Sequence, residues 1–274
     1  IAAKVGRKAE ALERKDQSGR DEEGLKEQLA DARRLRSLAM YYTGWTNYYL
    51  AFLTGSSGQA IRALEDFGYL LNAVQGRPAS VDRLPVGLLK YEHVARAAVG
   101  CALCSAMKPG GDTEALRWLE AIAGAEGLPE TVAAELFRHH AVVLASAKRW
   151  ADLDLYVKRR LRPPRDGAAK PLSPVEARLL AVLTLGSINP ADPASRSGDL
   201  VAALAQVALS ELVTQGRAGD VLDLVQQFGT VPIGQSGFIV QFVRGLQAYE
   251  RARTEHKALG NADDPAPDPS VVNR

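Results

Sequence analysis

The sequence predicts an all-α fold, an α-solenoid of antiparallel helical hairpins, and three observations predict it. Apolar residues recur at helical spacing along most of the chain, short breaks of turn-forming residues separate these stretches, and no run of alternating β-branched residues lies between hairpin turns. The breaks carry a repeated phrase, in which a break is followed by a small or aliphatic pair that opens the next helix. It reads Thr54-Gly55 before Ala60-Ile61-x-x-Leu64, Gly110-Gly111 before Ala115-Leu116-x-x-Leu119, Lys148-Arg149 before Leu153-x-x-x-Val157, and Gly216-Arg217 before Val221-Leu222-x-x-Val225. Leu153 and Val221 are 68 residues apart, two steps of a 34-residue two-helix period.

Residues 1–36 hold ten basic and eight acidic side chains around a thin row of Leu12, Leu25, Leu29 and Leu35. This composition predicts a solvated, salt-bridge-laced helical segment with breaks at Gly19 and Gly24. From Leu38 to Leu53 the pattern becomes an aromatic helix, with Tyr41, Trp45, Tyr48 and Phe52 on one face and Leu38, Tyr42 and Tyr49 on another. A helix that is apolar nearly all round is expected to be buried on both sides, one of them against Ile61, Leu64, Phe67 and Leu71 of its hairpin partner.

Ser56-Ser57-Gly58 offers an N-cap before the partner helix, residues 59–74. Residues 84–107 form the next helix, and Asp112 or Thr113 is expected to cap the helix at 114–124. Residues 129–147 and 150–161 make a third pair, and Ser173-Pro174-x-Glu176 opens another helix with a capping box and a first-turn proline. Helices at 200–214, 219–228 and about 236–258 complete the array, residues 37–260 in all. Residues 261–274 include Asp263-Asp264-Pro265-Ala266-Pro267-Asp268-Pro269, a composition expected of a linker or tail.

The chain has 274 residues, 46% of them hydrophobic, enough for a sizeable core. Its 34 basic and 32 acidic side chains leave a formal charge of +2, so no global field marks it for nucleic acid, and membrane association is expected only peripherally. Charged or polar residues break every apolar run before the roughly 20 positions that span a bilayer. Ile1 stands where an initiator Met would, so the chain reads as a piece of a longer polypeptide or a processed one. Its compartment stays open, with the cytoplasm the nominal expectation, and its Gly, Ala and Arg richness points to a high-GC bacterial source.

No residue set names a reaction. Cys101-x-x-Cys104 has the spacing of a redox pair or half a zinc site, but as a lone pair in an apolar helix, without a second Cys or His pair, it reads as two small buried hydrophobes. His139 and His140 are adjacent, so they point about 100° apart on a helix and cannot face one metal. Neither a nucleophile elbow nor a phosphate-cradling glycine loop is present. The reading is of a protein that is not an enzyme and uses no cofactor.

Two surfaces remain as partner-binding candidates. One is the basic stretch Lys158, Arg159, Arg160, Arg162 and Arg165, which also complements a helix dipole and is diluted by Asp152, Asp154 and Asp166. The other is the aromatic helix with Tyr41, Trp45 and Tyr48.

Phe137, Ala141, Trp150 and Leu153, closed by Pro163, and Ala205, Leu209, Gly216, Ala218 and Val221, closed by Pro232, stand where tetratricopeptide repeats place their packing residues. The chain therefore resembles a degenerate tetratricopeptide-like array over residues 137–164 and 205–232, without the family's opening Trp-x-x-Leu-Gly. The resemblance implies a right-handed superhelix whose concave surface binds protein partners or other copies of itself, a scaffold without catalysis. A sensor domain holding a small apolar ligand and a peripheral membrane-coat element are the alternatives.

Overall fold

The computed structural model describes residues 7, 10–11, 23–72, 78–162, 171–188, 196–228 and 238–259. Among them the fold is all-α, with ten long helices, two short 3-10 turns and no strand. The helices are α1 (Glu23–Thr54), α2 (Ser57–Asn72), α3 (Glu92–Ala106), α4 (Asp112–Ala123), α5 (Glu130–Ser146), α6 (Trp150–Leu161), α7 (Pro174–Leu185), α8 (Arg196–Thr214), α9 (Ala218–Phe228) and α10 (Phe238–Leu259). The chain divides into two compact units, residues 1–148 and 149–274.

The repeated break is a structural device. Gly55, Gly110 and Gly216 have φ of +67°, +69° and +72°, and Lys148 has φ of +56°. All four singled-out breaks therefore pass through one residue in the left-handed region, where glycine alone carries no steric penalty. Gly127 does the same at φ +69° between α4 and α5. At the end of α8 the bonds are those of a Schellman cap: Arg217 N donates to Leu212 O at 2.8 Å and Gly216 N to Val213 O at 2.9 Å.

In the first unit each helix packs on the next, and α1 also touches α3, as α3 touches α5. Phe67 of α2 is the pivot of this packing. It is fully buried, and a Cβ built on Gly44 of α1 would lie 2.6 Å from its ring, one built on Gly100 of α3 2.5 Å. The two bare backbones clasp opposite edges of one phenyl group. Asn47 Nδ2 adds a 2.8 Å hydrogen bond to Asp66 Oδ2 across the same hairpin. Trp118, Leu119 and Ile122 of α4 fill the rest of the core.

In the second unit α8 is central and packs on α6, α7, α9 and α10. Leu204, Ala205, Ala208, Leu209 and Leu212 give it a buried stripe, met by Leu153, Leu180 and Leu224 among others of this core. The capping box of α7 is formed: Glu176 N donates to Ser173 Oγ at 3.3 Å and Ser173 N to Glu176 Oε2 at 2.7 Å.

Several sequence expectations are corrected. Residues 23–36 of the charged stretch run into the aromatic stretch in one unbroken helix, α1, so neither Gly24 nor the 36/37 junction ends a helix. Residues 84–91 are not helical in the expected sense: Pro85 holds Leu84 extended at ψ 121°, a 3-10 turn follows over Val86–Leu88, and α3 begins only at Glu92. Gly111 occupies the N-cap of α4, with no side-chain cap from Asp112 or Thr113. Gly19, Arg165 and the tail at 261–274 lie outside the described residues.

Candidate functional site

The first unit carries a groove of about 500 Å³ lined by α1, α3 and α5. Its walls follow one rule. Tyr42, Trp45 and Tyr49 on α1, Arg96, Val99 and Leu103 on α3, and Val132, Glu135 and His139 on α5 each occupy positions i, i+3 and i+7, with Tyr41 and Tyr48 thickening the first wall. Residues so spaced share one face of a helix, so alternate helices of the unit turn like faces to one furrow.

The aromatic wall is a connected set of rings. Trp45 meets Tyr41, Tyr48 and Phe67 edge-on at centroid distances of 6.3, 5.5 and 5.3 Å, and Tyr49 at 6.1 Å in a tilted contact. The buried Phe67 ring therefore backs the exposed wall, and the clasp that holds Phe67 also positions Trp45. Burial pushes the Tyr41 and Tyr48 phenols up; at Tyr41 the Trp45 N–H and the Arg96 cation act the other way.

The opposite wall sets Val99, Leu103 and Val132 beside a polar chain that is balanced in charge. Arg96 donates from Nε to Glu92 Oε1 at 3.0 Å and from Nη1 to Glu135 Oε2 at 3.1 Å. Arg138 lies 3.3 Å from Glu135 Oε1, and His139 Nε2 lies 3.9 Å from Glu135 Oε2. Glu92 also accepts from Thr131 Oγ1 at 3.1 Å. The hydrogen bond to Glu92 raises the Arg96 pKa and that from Arg96 lowers the Glu92 pKa, so this pair stays ionised across the ordinary pH range. Burial lowers the His139 pKa against the pull of Glu135.

Of the expected residues, Tyr41, Trp45 and Tyr48 are half-buried in this groove. Burial of the aromatic helix on both sides is corrected: Tyr42, Tyr49 and Phe52 remain 61%, 57% and 66% exposed, because no described element covers the flank of α1 away from α2 and α3. Leu64, Phe67 and Leu71 pack as expected on the hairpin partner, whereas Ile61 is exposed. The walls from α3 and α5 were not foreseen. Their signal, the i, i+3, i+7 triplets, mixes apolar with charged residues and so does not stand out as a stripe.

The basic stretch lies in the second unit. Lys158 pairs with Asp154 at 2.6 Å and Arg160 with Glu176 at 3.7 Å, while Arg159 and Arg162 are exposed. Half of the described stretch is thus neutralised by its own unit. Cys101 and Cys104 are free and buried, and His140 is buried with Nδ1 3.0 Å from Leu136 O. Among the described residues no group of three or more His, Cys, Asp and Glu could hold a metal, and no helix is long and apolar enough to cross a membrane. In comparisons with known proteins the chain matches no family model, no curated protein and no solved structure.

Proposed function

We propose that this chain is a tetratricopeptide-like helical-hairpin scaffold and that the α1–α3–α5 groove is where it receives a segment of a protein partner. One observation carries the reading: three alternate helices present the same i, i+3, i+7 face to a single furrow, which is how stacked hairpins make a concave binding surface. Exposed tyrosine and tryptophan rings supply contact area at low entropic cost, the amphipathic chemistry favoured at protein interfaces. The Glu92–Arg96–Glu135–Arg138 chain sets two carboxylates against two guanidinium groups and gives no strong field, so the partner segment is apolar and close to neutral rather than highly charged. The role is recognition, without a reaction.

The test is selection of binding peptides from a random library on the intact protein, followed by variants. Trp45→Ala is expected to weaken the selected peptides at least tenfold, with Arg159→Glu/Arg160→Glu reporting on the basic turn. If both variants bind as the parent does, neither surface is the docking site.

A second reading, a small apolar ligand in the same groove, draws on its volume, which falls in the range of small-molecule sites, about 300–1,000 Å³. A selective rise in melting temperature with one compound of a metabolite panel favours this reading over the first.

A further inference from the structure

We infer that the outer face of α1 is a homodimer interface, in which two copies of this chain lay their α1 helices antiparallel about a two-fold axis beside Trp45 and Thr46. This surface shares Tyr42 and Tyr49 with the groove wall and extends beyond it along α1. Leu38 and Leu53 lie outside the groove lining, so substitutions there test the dimer without touching the groove, while a groove occupant would compete with it for Tyr42 and Tyr49.

The face is large and bare. Leu35, Leu38, Tyr42, Tyr49, Leu50, Phe52 and Leu53 are 55%, 48%, 61%, 57%, 43%, 66% and 78% exposed. At helical spacing Leu38, Tyr42, Tyr49 and Leu53 fall in one stripe, about 22 Å long at the α-helical rise of ~1.5 Å per residue. The groove reaches it only at Tyr42 and Tyr49, and Arg36, which pairs with Glu10 and lies 4.5 Å over the Tyr69 ring of α2, marks the opposite side of the helix. Apolar patches of this size on a soluble chain mark association surfaces.

Three properties fit a second copy rather than an unrelated partner. The first is symmetry. Read outward from the Trp45–Thr46 step, the stripe is a palindrome, Tyr42 balanced by Tyr49 and Leu38 by Leu53. An isologous interface demands this order, since residue i must meet j while j meets i. Antiparallel pairing sets tyrosine on tyrosine at the centre and leucine on leucine at both ends.

The second is charge. No Asp, Glu, Lys, Arg or His occurs from Ser37 to Ile61, so the face can be laid on its own image without bringing like charges together. The third is area. Six of these side chains, all but Leu50, which points about 160° away from Phe52, offer on the order of 100 Å² each, or about 600 Å² per protomer, approaching the ~800 Å² per partner of a standard stable interface.

The experiment uses the full chain. Sedimentation equilibrium at about 100 μM, well above a micromolar Kd, is expected to give twice the 29.4 kDa chain mass. Leu38→Glu/Leu53→Glu is expected to return the mass to that of one chain with helicity unchanged, because both side chains are exposed within the protomer. Cross-linking tests the register independently of variant stability. Leu38→Cys/Leu53→Cys is expected to form disulfide dimers under mild oxidation and Leu38→Cys alone not to, the native Cys101 and Cys104 being buried. A single-chain mass at that concentration overturns the inference. So does a dimer that survives the double Glu substitution, or cross-linking of Leu38→Cys with its own copy, which indicates parallel pairing.

Discussion

Adding one methyl group at Gly100 tests the clasp around Phe67. The new Cβ would sit 2.5 Å from Phe67 Cε2, where carbon atoms in contact keep about 3.5–4.0 Å, so ring or helix must move by roughly 1 Å. The ring cannot retreat toward α1, because Gly44 approaches its other edge just as closely. Overpacking of this kind costs about 1–3 kcal/mol, while replacing glycine by alanine inside a helix returns up to about 1 kcal/mol. The net expectation for Gly100→Ala is a loss of about 1–2 kcal/mol, which lowers the melting temperature by ~3–8 °C for a unit of this size. Circular dichroism melts of the parent, Gly100→Ala, Phe67→Leu and the double variant provide the assay. In that cycle the double variant should be more stable than the sum of the single effects, because the smaller side chain makes room for the methyl group. A neutral or stabilising Gly100→Ala would show that propensity outweighs packing here, and the clasp argument would fail.

Four further outcomes are expected. Gly216→Ala should cost about 1 kcal/mol in urea denaturation, since nothing lies within 4 Å of the added Cβ and only the left-handed φ opposes it. Ser173→Ala should cost about 1 kcal/mol by opening the capping box of α7. Burial lowers the pKa of both His139 and His140, so near pH 6.5 and below the unfolded chain takes up protons that the folded chain refuses. Their contribution to the melting temperature is therefore flat above neutrality and falls as the pH drops from about 6.5, and His139→Gln/His140→Gln should flatten that slope. Burial pushes the Cys104 thiol up to about 12 and Cys101 higher than its usual value, so a thiol reagent should label neither in the native protein and both after denaturation.

Helices and their joints were legible in the sequence because their physics is local, a left-handed turn asking for glycine at one position, as at Gly55, and a capping box for Ser173 and Glu176 three residues apart; the expected pairing of 129–147 with 150–161 is not borne out, because the two helices fall in different units. The start of α3 was misread although Pro85 carried the signal, since Pro85 disfavours helix at Leu84. Half of the groove was legible through its dense aromatics, Tyr41, Trp45 and Tyr48. The other half was not, because Arg96, Glu135 and His139 become wall residues only through the packing of α1, α3 and α5, and nothing in the order of the residues records that packing. The exposed flank of α1 was misjudged for the same reason, as burial belongs to neighbours rather than to composition.

The single-residue left-handed turns have a consequence for how such a chain can change. When direction is switched at a joint and not by counting along a rod, a helix can gain or lose a turn without disturbing the joint at either end. Strict periodicity then erodes while the zigzag persists, and kinship among chains of this type is better sought in the placement of their elbows than in a constant stride.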